Sequence, residues 1–181
     1  YDDRWEVMIP LMQRHIPAHI HAHRSDDIMT AIRICKEFDL RYIIVHATDG
    51  AVIAQQLKEE NAMVIVGPSL GPAGKFENRN ASFSTAGILQ RAGLEVAITT
   101  DHDCQPLQFL PIFAALCVRE GMEPDAALRA ITINPARIIG IEDRVGSIEL
   151  GKDADICIFS SHPFDLMAKT KAVFIDGQRI C

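Results

Sequence analysis

The chain has 181 residues, 48% hydrophobic and 23% charged, which is enough apolar surface for a sizeable core and too much for a disordered chain. Its 18 basic and 24 acidic side chains give a net charge of −6 with no basic stripe, which excludes a nucleic-acid partner because phosphate binding needs clustered Lys and Arg. No apolar run reaches the roughly 18 residues of a membrane span. No signal peptide is evident, and Cys35, Cys104, Cys117, Cys157 and Cys181 lack CxxC spacing, so a soluble cytoplasmic protein in a reducing compartment is expected.

In chain order, residues 1–14 have helical character, with Trp5, Met8, Ile9 and Met12 on one face. The chain begins at Tyr1 rather than Met, and a polypeptide entered partway is expected. Residues 16–23 alternate as a strand, and Ser25-Asp26-Asp27 starts a helix that runs to Phe38. Residues 41–46 form a continuous apolar run of the kind a buried parallel strand shows, and a helix over 50–60 follows. Residues 63–66 are the next strand. A long loop over 67–80, rich in Gly and Asn, leads to a helix over 85–92, a strand over 95–100 and a longer helix over 107–119. This alternation predicts a parallel sheet with packed helices.

The pattern then changes. Residues 124–130 and 135–139 read as short helices, the second with Asn134 as cap and Pro135 in its first position. Strands are expected over 146–150, 154–159 and 172–175, with turns at Gly151-Lys152 and Asp176-Gly177. A boundary near residue 143 separates an α/β part, 1–143, from a small β part, 144–181.

The residues able to do chemistry gather at strand ends. In His19-Ile20-His21-Ala22-His23, a period of two puts all three histidines on one side, and His46 and Asp101-His102 close two further strands. Ligands collect at the C-terminal ends of parallel strands. A lone His there is most often an ordinary hydrogen-bonded residue. Several polar residues closing successive apolar strands are costly unless a site satisfies them, so together they point to a metal or catalytic site. Imidazole and carboxylate from separate strands suit Zn2+ with room for water. Lys75, Glu77 and Arg79, on the long loop, either contact substrate or belong to a solvated surface loop.

The run His21-Ala22-His23-Arg24 with Asp26-Asp27-Ile28, then Val45-His46, Thr99-Thr100-Asp101-His102, Asn134-Pro135-Ala136 and the segment 145–155 from Val145-Gly146-Ser147 to Asp153-Ala154-Asp155 resembles the amidohydrolase superfamily. The closest likeness is to its imidazolonepropionase-like and prolidase-like branch. It covers essentially the whole chain, and its most specific part is the tail ending in Val173-Phe174-Ile175-Asp176-Gly177.

The resemblance implies the C-terminal portion of a (β/α)8 TIM-like barrel, strands five to eight, followed by the C-terminal strands of a small β-sandwich. Carried over by position, His21 and His46 match metal ligands of the fifth and sixth strands. Asp101 matches the eighth-strand Asp that binds metal and takes the proton of the hydrolytic water. His23 and His102 are implied as substrate contacts, and His19 matches no ligand role. The implied cofactor is a divalent metal, Zn2+ first, and the implied activity is hydrolysis of amide or cyclic amide C–N bonds in a small-molecule substrate. The metal would acidify bound water and polarise the substrate carbonyl.

The family's first-strand His-x-His pair and fourth-strand Lys or Glu have no counterpart here, and a full barrel takes about 250 residues. The alternative is therefore a non-catalytic fragment of such an enzyme; a third possibility within the superfamily is an esterase or deacetylase. Four strands leave two open edges, from which a homo-oligomer is expected.

Overall fold

Runs of β-branched and apolar residues too short for helices, each closed by a polar or glycine residue, form the parallel sheet. The computed structural model describes residues 2–71 and 74–181. Tyr1 of the expected opening helix and residues 72 and 73 of the long loop lie outside the described residues. Strands β1 (Ala18–Ala22), β2 (Tyr42–His46), β3 (Met63–Val66) and β4 (Val96–Ile98) pair in sequence order, all parallel. The connections carry α3 (Ser25–Glu37), α4 (Ala54–Glu59, entered by a 3-10 turn over Gly50–Ile53) and α5 (Ser84–Arg91). After β4 come α6 (Leu110–Arg119), α7 (Pro124–Arg129) and α8 (Ile133–Ile139).

One sheet face meets the helices. Ile44, Val64, Val66, Val96 and Ile98 pack with Ile28 and Ile32 of α3, Leu57 of α4, Leu89 of α5 and Phe113 of α6 in one buried cluster. Each such side chain contributes about 1.5–3 kcal/mol when fully buried, so this face carries most of the fold's stability. On the opposite face, Ile43 and Ala97 bury Ile138 of α8, with Val45 and Ile65 beside them. The N-terminal end of that face is thus plugged by a helix, and its C-terminal end is left to polar residues.

Three expectations differ from the structure. The opening segment is two short helices, α1 (Asp3–Glu6) and α2 (Ile9–Met12), rather than one. Pro10 has no N–H to continue a helix from the first turn, and Trp5 stays 70% exposed. Helix α8 starts at Ile133, not Pro135, and Asn134 is not its cap; its Nδ2 donates to the Val96 carbonyl at 2.8 Å. The strand expected over 146–150 does not form, although Ile148 and Leu150 alternate correctly. Both are exposed, and no strand among the described residues pairs with them.

The remaining strands, β5 (Ile156–Phe159), β6 (Thr170–Ile175) and β7 (Gln178–Arg179), make an antiparallel sheet in that order. Asp176 and Gly177, both with positive φ (50° and 75°), form the two-residue turn between β6 and β7 that right-handed strand twist favours.

The two edges of the parallel sheet are also unequal. On β4, the Ile98 N–H donates to the Ala130 carbonyl at 2.9 Å, and Asn134 occupies the Val96 carbonyl. The end of α7 and the first turn of α8 therefore cover part of an edge that was expected to be bare. The β1 edge has no partner strand among the described residues.

Candidate functional site

The polar strand ends meet above the sheet. His21 shares its register with Val45, on the face opposite the helices. His46 shares the parity of Ile44, so an extended chain would send it toward the helices. Instead its φ is 77°, a left-handed conformation uncommon outside glycine. Its ring, 5% exposed, lies 4.2 Å from that of His21. His23, one residue past β1, stacks on His46 with centroids 4.6 Å apart and rings 8° from parallel.

These three form the one group of three or more potential metal-ligating side chains among the described residues, with donor atoms within 4.8 Å of one another. His46 Nδ1 lies 2.6 Å from the Gly67 carbonyl oxygen, which can only accept. Nδ1 therefore carries the proton and Nε2 keeps its lone pair. That Nε2 is 3.0 Å from His21 Nδ1. Two nitrogens at about 2.0–2.1 Å from a tetrahedral Zn2+ are roughly 3.3 Å apart, so the spacing suits shared ligation. His23 Nδ1 bonds the Thr48 hydroxyl at 2.7 Å, leaving its Nε2 free.

The electrostatics favour the neutral, ligating form. Burial, then the neighbouring His46, lowers the His21 pKa. Burial, followed by His46 and His21, pushes His23 down to about 4. The charges of Glu77 and Lys75 on the long loop act on both rings with opposite sign.

Asp101 lies outside the three-histidine group, although its charge reaches His21. Its φ is 51°, and its N–H donates to Thr99 Oγ1 at 2.9 Å. The neighbouring Asp101 carboxylate raises the pKa of the Cys104 thiol. His102 is exposed beside it, and exposed His19 shares the His21 face.

Sequence reasoning missed Thr48 and Gly67. The signal for the second was available, a glycine directly after the apolar strand. Gly67 has φ +118°, and an added Cβ would overlap the Thr99 carbonyl oxygen. Only glycine lets the backbone bring its carbonyl to His46 here. Gly67→Ala is expected to lower the thermal midpoint by several degrees and weaken binding of a divalent metal; unchanged melting and metal titration would remove Gly67 from the site.

Against known proteins, the profile of the amidohydrolase family matches residues 10–180. The chain belongs to the amidohydrolase family. An imidazolonepropionase from Symbiobacterium thermophilum is 34% identical over 122 residues, 65% of this chain and 27% of the relative. The crystal structure of an amidohydrolase from Thermotoga maritima superimposes with a TM-score of 0.96 and 41% identity, over 100% of this chain and 47% of that one. An adenosine deaminase from Xanthomonas campestris, solved with bound zinc, shares the fold at TM-score 0.66 and 24% identity, over 96% of this chain and 47% of its own. This member thus spans less than half the length of each of these relatives. Among the described residues, no helix is long and apolar enough to cross a membrane.

Proposed function

We propose that the chain is the metal-site half of a cytoplasmic hydrolase that cleaves amide or cyclic amide C–N bonds in small molecules. The observation that carries this reading is the cluster of three imidazoles at the C-terminal ends of parallel strands in an amidohydrolase chain. On this reading β1 to β4 are strands five to eight of a (β/α)8 barrel, and β5 to β7 belong to a small sandwich. The corresponding units are 1–143 and 144–181. The fold likeness to a deaminase solved with zinc supports Zn2+ as the first metal to try.

His21 and His46 would hold the metal together with Asp101, and His23, in the same cluster, would contact substrate or ligate. A cation there supplies charge that polarises a carbonyl and acidifies water. The chain's own work is then positional and protolytic. The Gly67 carbonyl fixes the His46 tautomer, and Thr48 orients His23. Asp101 takes a proton from the attacking water and delivers it to the departing nitrogen. His102, exposed at the rim, would contact substrate. Zinc-dependent hydrolysis of a panel of amides and lactams, stopped by chelator and lost in Asp101→Asn, tests the reading; turnover that survives both changes would overturn it.

The bare β1 edge supports self-association as well, since an unpaired strand edge invites another strand. Light scattering is expected to give twice the mass of a single chain, and a monodisperse monomer would count against this.

A further inference from the structure

Two consecutive residues past the end of β2 hold His23 by its ring and by its backbone. Its Nδ1 bonds the Thr48 hydroxyl at 2.7 Å, and its carbonyl accepts the Asp49 N–H at 2.8 Å. The Asp49 side chain, meanwhile, ignores its own turn. It precedes the 3-10 turn over Gly50–Ile53, where an aspartate ordinarily accepts from the N–H groups that follow it, and it makes no such bond. Instead its Oδ2 accepts from the Ser25 N–H at 3.2 Å, and its Oδ1 accepts from Asn80 Nδ2, at the end of the long loop, at 2.8 Å.

The Ser25 bond fills a need on another element. Ser25 opens α3, whose first N–H groups have no partner within the helix, and Arg24 before it supplies no side-chain cap. The Arg24 guanidinium is engaged by Asp26, at 2.9 and 2.7 Å. Asp49 therefore caps α3 from a different strand's exit and sets a negative charge at the positive end of that helix. Its bonds to His23 and Ser25 close around the turn from β1 into α3, and that turn carries the His23 ring, buried and stacked on His46 with planes 8° apart.

We propose that Asp49 is a positioning residue of the site: its side chain fixes the turn that holds the His23 ring against His46, and couples that turn to the long loop through Asn80. The placement of His23 requires no reaction; its use as ligand or substrate contact rests on the hydrolase reading above.

The test reads the His23 ring Cε1–H resonance by NMR in chelator, and zinc affinity by competition with a chromophoric chelator. In Asp49→Ala the resonance is expected to leave its stacked position and zinc affinity to fall about tenfold, as loss of an outer-sphere partner does. Asp49→Asn should preserve both, since its amide offers an oxygen to the Ser25 N–H and a nitrogen to the Asn80 side-chain carbonyl turned round. Asn80→Asp, which sets two carboxylates against each other on an exposed segment, should move the resonance, and Asp49→Asn combined with Asn80→Asp should return it. That pair keeps the α3 cap, so it decides the matter even where Asp49→Ala fails to fold. A His23 resonance unmoved by Asn80→Asp, one that the combined variant does not return, or an Asp49→Asn as damaging as Asp49→Ala would overturn the proposal. The expected movements in a chain that binds no zinc would uphold it while overturning the metal assignment.

Discussion

Replacing His46 with alanine is expected to reduce bound zinc from about one ion per chain to a small fraction, measured by plasma mass spectrometry on protein purified without chelator. The size of the effect follows from what the ring does. Its Nε2 lone pair points at His21 Nδ1 only because Nδ1 is committed to the Gly67 carbonyl, so one substitution removes both a donor and the partner that orders the pair. Loss of a second-sphere partner alone typically costs about 10–100-fold in metal affinity, and loss of a ligand should exceed that. His46 is buried, so the variant also loses packing. His21 is exposed, and His21→Ala removes a donor at little cost to the fold. Zinc lost in both variants, with helical circular dichroism retained in His21→Ala, is the expected result. Zinc unchanged in either variant, or absent from the unsubstituted chain, would defeat the metal assignment.

How far the sequence could be read depended on whether an element answers to its own residues or to its neighbours. Residues 63–66 read as a strand because an apolar run that short cannot be an amphipathic helix, and the strand has those bounds. The helix from Ser25 was legible from its own polar start and acidic first turn. Residues 146–150 carry an equally good alternation, but a strand also needs a partner, and pairing is not written in one segment. Pro135 misled for the same reason. It marks a favoured first position locally, but tertiary contact moved the boundary, because the Asn134 amide is drawn to the Val96 carbonyl of β4.

The cluster shows the same division. Strand periodicity put His21 on the right face, yet it would have sent His46 to the wrong one. Only the left-handed turn at His46 and the carbonyl of Gly67, more than twenty residues on, bring that ring to its neighbours. His23 looked like a pocket residue, and its closeness to His46 depends on Thr48 from the next strand's end.

Asp101→Asn is expected to cut hydrolysis by about 10²–10⁴-fold, the usual worth of a positioned general base. The substitution isolates that role unusually well. Asp101 sits at φ 51°, where most side chains are strained but Asn is tolerated, so the backbone need not move. The N–H that donates to Thr99 Oγ1 is retained. What disappears is the capacity to take a proton from water and return it to a leaving nitrogen. Because His21 and His46 remain and the Asn side-chain oxygen keeps a weaker lone pair for the metal, zinc should be retained in part while turnover falls, and amide substrate should still saturate the variant. Loss of turnover and zinc together would make Asp101 chiefly a ligand. Unchanged turnover would move the proton transfer to another group, and no turnover in the zinc-loaded unsubstituted chain would leave the non-catalytic reading standing.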